Sequence, residues 1–265
     1  MNPSEISQEQ LAFLENWKQR RRQMAAVRIL LLVLILALWE LAAAFGWIDR
    51  FIFSSPSQVI LCLAEMAGDG SLFFHTGITL LETLISFALV VFLGLAAALL
   101  LWLFQGLAQI LEPFLVMLNS LPKSAMAPLL IVWLGSGMKT IVAAAVSVAL
   151  FGSILTLYTG FSQLDPDQVR LIRSLGGSRR HVLLKVLLPG SLPLIISSMK
   201  VNIGLCLVGV IIGEFLSAKA GLGYLITYGS QTFAMTTVVT SIVVLCAAAA
   251  VLYQGVSFLE QHFIR

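Results

Sequence analysis

Three long runs of this chain carry no Asp, Glu, Lys or Arg: Thr83 to Leu111, Thr140 to Leu164, and 235–259. No other feature limits the possible folds as strongly. A helix rises about 1.5 Å per residue, so about 20 apolar residues cross a hydrocarbon core about 30 Å thick. Lipid offers the backbone no water, so such a segment must close its own hydrogen bonds. Charged residues make up 11% of the sequence and hydrophobic residues 59%, against about 25% charged in a soluble domain. With a mean hydropathy of +0.97, the chain reads as an all-α integral membrane protein.

Six apolar stretches are long enough to span: 28–47, 80–104, 112–135, 140–162, 191–214 and 235–259. The second is expected to end in a short turn at Gln105-Gly106. The third is unusual, because Pro122 and Pro128 lie inside it with Lys123 between them. A broken helix is tolerated at membrane depth only where protein or a water-filled cavity satisfies the freed backbone groups. That span should therefore face a pathway, with Asn119, Pro122, Lys123 and Pro128 as candidate lining residues; the alternative for Lys123 is a snorkelling side chain. Lys200 and Asn202, which open an apolar run in the fifth span, join the candidates. Glu40, in the first span, reads as a helix-packing group or as a pathway residue.

Outside the spans, Ser7 and Gln10 read as a capping box before a basic segment with Lys18, Arg20, Arg21, Arg22 and Arg28. This segment is a topological anchor or an interfacial helix for a cytoplasmic partner, and lacks the small-residue cleavage site of a signal peptide. SSPS at 54–57 precedes a short amphipathic helix, and 215–234 reads as an outer loop or partly inserted helix. With six spans, both termini and the 163–190 loop share one side and hold eleven Lys and Arg, against Arg50, Lys139 and Lys219 on the other. The positive-inside bias makes the first side cytoplasmic.

The longest polar interruption, from Asp165 to Pro193, reads DPDQVRLIRSLGGSRRHVLLKVLLPGSLP. Asp165 can cap a helix that has Pro166 at its first position. Val169, Ile172 and Leu175 then share one face, and Gly176-Gly177 ends the helix. Ser178 can cap a second helix, which Pro189 is expected to break.

At these residues a resemblance appears. The stretch resembles the cytoplasmic loop of ABC-transporter permeases, whose pattern is Glu-Ala-Ala, a Gly and a later Leu-Pro. Gly176 and Leu188-Pro189 stand at the family's spacing, while Arg170-Leu171-Ile172 occupies the Glu-Ala-Ala position. The Leu-Pro-Lys, Ala-Pro-Leu and Trp-Leu-Gly of 121–135 resemble permeases of the sulfonate, nitrate and taurine group, and Gly213-Glu214 and Gly221-Leu222-Gly223 also resemble the family.

The resemblance implies a type I transmembrane fold with a coupling helix between spans 4 and 5. On it, 1–28 is a cytoplasmic N-terminal segment, 29–54 the first span and outer loop, 55–260 the permease core, and 261–265 a cytoplasmic tail. It implies a multi-pass protein of the bacterial inner membrane that passes a small solute. A sulfonate, taurine, nitrate or a thiamine-precursor pyrimidine would fit. Its partners would be two ATPase subunits, a second permease copy (most simply a homodimer) and an extracytoplasmic solute-binding protein. ATP and Mg would be used by the ATPase. The coupling residues would be Asp165, Val169, Arg170, Ile172, Arg173, Leu175, Gly176, Gly177, Arg179 and Arg180, with Val169, Ile172 and Leu175 packing on the ATPase and the arginines meeting its acidic residues.

Other classes find less support in the sequence. There is no GxxxxGK[ST] nucleotide loop, no Ser/His/Asp set or HExxH, and no CxxC among Cys62, Cys206 and Cys246. His75, His181 and His262 are scattered, so neither a metal site nor a cofactor is expected. The net charge of +3 follows from topology rather than from nucleic-acid binding. The rival is a secondary, ion-coupled transporter, which would show paired intramembrane acids or a two-fold repeat. Glu40, Glu82 and Glu214 are all expected near outer ends of spans, and the sequence shows no repeat.

Overall fold

The computed structural model describes residues 8–263, and every regular element among them is helical. The Ser7 cap, with the rest of residues 1–7, and residues 264–265 of the tail lie outside the described residues. In chain order the helices are α1 (Gln8–Ala44), α2 (Arg50–Phe53), α3 (Pro56–Gly68), α4 (Ser71–Leu103), α5 (Gln105–Ser120), α6 (Lys123–Leu134), α7 (Met138–Ser162), α8 (Pro166–Ser174), α9 (Arg179–Val182), α10 (Leu188–Ser217), α11 (Leu222–Gln231) and α12 (Met235–Phe263). Five helical runs are long and apolar enough to cross a membrane. The pair α5 and α6, bent by 95°, makes a sixth if counted as one span.

The core is a three-helix seam of α4, α7 and α10. Small residues let the backbones approach: a Cβ at Gly209 would stand 2.5 Å from the Ala145 Cα, and one at Gly213 would stand 2.8 Å from the Ile141 Cα. Van der Waals packing, rather than water exclusion, favours such contacts in lipid. Val90, Ala149 and Cys206 fill the middle of the seam; Ala98, Leu157, Phe161 and Leu187 fill one end. The first span stands apart, with its apolar residues from Ile29 to Leu36 exposed. What ties it down is polar. Glu40 accepts from the Ser57 amide at 3.0 Å and the Ser57 hydroxyl at 2.9 Å, and Arg50 Nε donates to the Ala43 carbonyl at 2.8 Å. Glu40 is thus a packing group, capping the first turn of α3.

Two expectations fail. Gln105 begins α5 directly, because Phe104 alone supplies the change of direction after α4. Pro189 breaks nothing: Arg179–Ser217 is one continuous helical run. The reason is a wide π-helical turn at Leu183–Leu187, in which the Leu188 amide donates back to the Leu183 carbonyl. Proline clashes with the carbonyl four residues earlier in a regular helix, and a wide turn is one way to relieve that crowding.

Candidate functional site

The polar connection between α7 and α10 is built as its sequence suggests. The Asp165 carboxylate accepts from the Asp167 amide at 2.9 Å and starts α8. Gly176 takes φ +77°, a left-handed conformation favoured by glycine. This lets the Gly177 amide return to the Ile172 carbonyl at 2.8 Å, closing the helix end. The turn decides which side chains face out. Ile172 is folded under Gly177, and a Cβ there would strike it. Val169 joins Trp102, Tyr158, Phe161 and Val182 around a cleft between α8 and the bundle. Leu171 and Leu175 remain outside, 59% and 76% exposed. The outward apolar pair is therefore Leu171 and Leu175, at i, i+4 spacing, rather than the expected trio of Val169, Ile172 and Leu175.

The arginines separate in the same way. Arg170, Arg173 and Arg180 are exposed, and Arg170 bonds Asp167 at 3.1 Å across open solvent. Arg179 donates to the Leu103 carbonyl at 3.0 Å. Leu103 ends α4, where carbonyls lack intrahelical partners and the helix dipole favours a cation. The connection is thus fixed to α4 as well as to α7 and α10.

At the bent pair, the chemistry of Pro122 explains Lys123. Pro122 has no amide to offer the Leu118 carbonyl, and the Lys123 ammonium fills that place. It also lies 5.2 Å from the centre of the Phe151 ring. Asn119 leans on the same stretch of α7, its Oδ1 3.2 Å from where a Cβ on Gly152 would stand. Asn202 reaches it from α10, donating to Ser153 at 2.8 Å and Ser198 at 3.2 Å while buried. So Asn119, Lys123 and Asn202 meet α7 between Phe151 and Ser153. Pro128 lies in the interior of α6. Lys200 turns elsewhere: it pairs with Glu260 of α12 and lies 5.9 Å from the Tyr253 ring centre.

A further polar cluster has no counterpart in the sequence reading. Glu82 of α4 and Glu214 of α10, both expected near outer ends of spans, are buried. Glu214 accepts from the Thr79 hydroxyl at 2.7 Å and from the Gly223 amide at 2.5 Å. Thr79 Oγ1 accepts from the Leu222 amide at 2.8 Å, and His75 Nδ1 from the Gly221 amide at 3.0 Å. The start of α11 is thus capped wholly by side chains of two other helices. A Cβ on Gly221, at φ +113°, would collide with the Glu214 carboxylate; one on Gly223 would stand 2.8 Å from it. The Gly-x-Gly was the available signal, but its partner lies across the fold.

Residues 90–265 match the family described as the binding-protein-dependent transport system inner membrane component. A probable ABC transporter permease protein of Haemophilus influenzae is 29% identical over 89% of this chain and 96% of its own length. A putative aliphatic sulfonates transport permease protein of Escherichia coli is 30% identical over 80% and 81%, and a taurine transport system permease protein of the same organism 25% over 93% and 91%. Among solved structures, a methionine ABC transporter in an inward-facing conformation superposes with a TM-score of 0.61 at 18% identity, covering 71% of this chain and 93% of that one. The chain belongs to the family of inner membrane components of binding-protein-dependent transport systems, as a multi-pass permease subunit of an ABC importer.

Proposed function

We propose that two copies of this chain form the translocation pathway of the importer, and that each passes the motion of a separate ATPase subunit to its spans through α8 and α9. The solute is a small one delivered by an extracytoplasmic binding protein. Relatives named for taurine, aliphatic sulfonates and formylaminopyrimidine favour a sulfonate, taurine, another small anion such as nitrate, or a thiamine-precursor pyrimidine. ATP and Mg are used by the ATPase, and both termini lie in the cytoplasm of a bacterial cell with six spans between them. The observation that carries the coupling role is the outward pair Leu171 and Leu175, flanked by exposed Arg170, Arg173 and Arg180 on an otherwise capped and anchored connection. Two bare leucines on a short polar helix outside the apolar spans suit a partner's apolar groove.

The path from there to the bundle is short. Arg179 holds α9 to the end of α4, and α9 runs without a break into α10. Movement of α8 is therefore carried into both helices as a rigid body. Lys123, Asn119 and Asn202 border the pathway where they meet α7, and Pro122 and Pro128 shape its broken span.

Leu175→Asp tests the coupling role. A carboxylate forced unpaired into a buried contact costs several kcal/mol, so ATPase co-purification and substrate-stimulated ATP hydrolysis should be lost while the chain still inserts and folds. Retention of both at the unmodified level rejects the docking role. Cysteine labelling in intact cells checks the sides: positions 69 and 219 should react from outside and 179 should not.

A further inference from the structure

We propose that the cleft under α8 binds the phosphate of an anionic phospholipid, held between Arg173 and Arg179. The cleft holds about 210 Å³, room for a phosphate group and its first neighbours when one water takes about 30 Å³. It lies where two apolar helices end: Trp102 is in the last turn of α4, and Ser162 is the last residue of α7. Lipid headgroups sit at the ends of spans, and tryptophan and tyrosine favour that depth; Tyr158 lines the cleft beside Trp102. Arg173 enters from α8 and Arg179 from α9. Among the described residues no Asp or Glu lines the cleft, and neither arginine has a carboxylate within ion-pair distance. Arg179 commits one nitrogen, Nη1, to the Leu103 carbonyl. Its other N–H groups, and those of Arg173, are left for a ligand or water.

Two cations that share one concave surface, with no counter-charge beside them, suit an oxyanion. The planar guanidinium fork matches the oxygens of a phosphate, and basic pockets between helices at a membrane surface take phospholipid headgroups. The walls favour a lipid over a free anion. Phe161, Val169 and Val182 give the cleft an apolar side. At its rim, exposed Gln105 follows Phe104 directly and precedes Leu107 by two residues. Those two side chains are 58% and 43% exposed, an apolar path for acyl chains that a free anion would not need. A phosphate bonded to both arginines joins α8 to α9, and α9 runs unbroken into α10. The lipid thus fixes α8 on the bundle from the side opposite its bare leucines.

The site stands apart from the docking of an ATPase, so its test uses the full-length chain alone, in lipid nanodiscs. Cys62→Ala and Cys246→Ala remove the accessible thiols; Cys206 is buried. Ser162→Cys then places a thiol in the cleft. Gln163→Cys, its exposed neighbour outside the lining, reports the membrane surface at the same depth. The ratio of the two rates with an uncharged maleimide is measured in phosphatidylcholine discs and again as phosphatidylglycerol is added stepwise. Phosphatidylglycerol should lower the ratio at least about fivefold. Arg173→Gln should raise the phosphatidylglycerol fraction needed for half of that fall about fivefold, the share of one arginine at about 1 kcal/mol. Arg173→Lys, which keeps the charge, should stay nearer the unmodified chain. Inorganic phosphate added to phosphatidylcholine discs should leave the ratio unchanged. Arg173 is exposed, so these variants should keep the fold. Three results overturn the proposal: a ratio that phosphatidylglycerol does not move, an Arg173→Gln chain protected like the unmodified one, or equal protection by phosphate alone, which would make the cleft a free-anion site.

Discussion

Two short polar stretches interrupt the apolar run of this chain, and they are used in opposite ways. At α8 and α9, the helix is capped by its own flanking residues, its arginines mostly point to solvent, and two leucines are left bare. At the start of α11, the polar contacts turn inward: three backbone amides are taken by His75, Thr79 and Glu214, and both glycines sit against a carboxylate. The first stretch makes its own helix caps and leaves an apolar pair facing outward. The second is complete only because the bundle supplies its caps. Polarity in a membrane protein therefore does not by itself mark a functional surface. What separates the two stretches is whether the hydrogen-bonding groups are satisfied within the chain.

This contrast predicts a double dissociation, and the largest effect falls on the inner stretch. Gly221→Ala puts a side chain at φ +113° and into the Glu214 carboxylate. Strain of about 1–3 kcal/mol adds to displacement of a buried acid from its donors. The isolated chain should lose about 3 kcal/mol or more of stability, read as an earlier midpoint in sodium dodecyl sulfate titration in mixed micelles. Leu175→Asp should leave that midpoint within about 0.5 kcal/mol, as exposed substitutions do, while removing the ATPase. If Gly221→Ala is neutral, or if Leu175→Asp destabilises the chain alone, the division between inner and outer stretches fails.

Lys123 lies between the two cases. Its ammonium replaces the amide that Pro122 lacks, so it is partly a structural cap. Lys123→Met keeps the apolar stem and removes the donor, leaving the Leu118 carbonyl unmet at a cost of about 1–3 kcal/mol. Transport should fall while assembly with the ATPase persists. A transport rate equal to that of the unmodified protein would make Lys123 a snorkelling side chain and nothing more.

These cases also explain what was legible beforehand. Uncharged runs announced the long apolar helices because charge is expensive in lipid, and Pro122 announced the bend between α5 and α6. Asp165 and Gly176 announced the ends of α8 because caps are local chemistry. The parts that were not legible depend on distant partners. Thr79 and Glu214 are 135 residues apart in sequence, so no spacing rule brings them together at the start of α11. In the run HVLLKVLLP, Pro189 marks a disturbance of the helix, but whether the helix breaks there or widens depends on how α9 and α10 join. At α8, face assignment failed by a small rotation. Spacing of i, i+3, i+6 selected Val169, Ile172 and Leu175, but the glycine turn folds over Ile172 and turns Leu171 outward.

The smallest expected effect sharpens the contrast most. Arg170 stands where the family's pattern has an acidic residue, and its one ion pair, with Asp167, is exposed at both ends, 79% and 82%. Such pairs are worth about 1 kcal/mol or less, so Arg170→Glu should barely move the stability of the chain. Its new charge lies three residues from Asp167, a like-charge neighbour that costs a few tenths of a kcal/mol in a helix. At the ATPase the outcome depends on what Arg170 meets. A contact at the polar rim should change affinity by about 1 kcal/mol or less and become weaker as salt is added. A buried pair should cost about 3–5 kcal/mol, with little dependence on salt. Titrating ATPase retention on the Arg170→Glu chain against sodium chloride separates the two. A salt-sensitive loss of less than tenfold, about 1.4 kcal/mol, keeps Leu171 and Leu175 as the centre of the contact and the arginines as its rim. A large, salt-independent loss would move the centre of the outer stretch from its leucines to its charge.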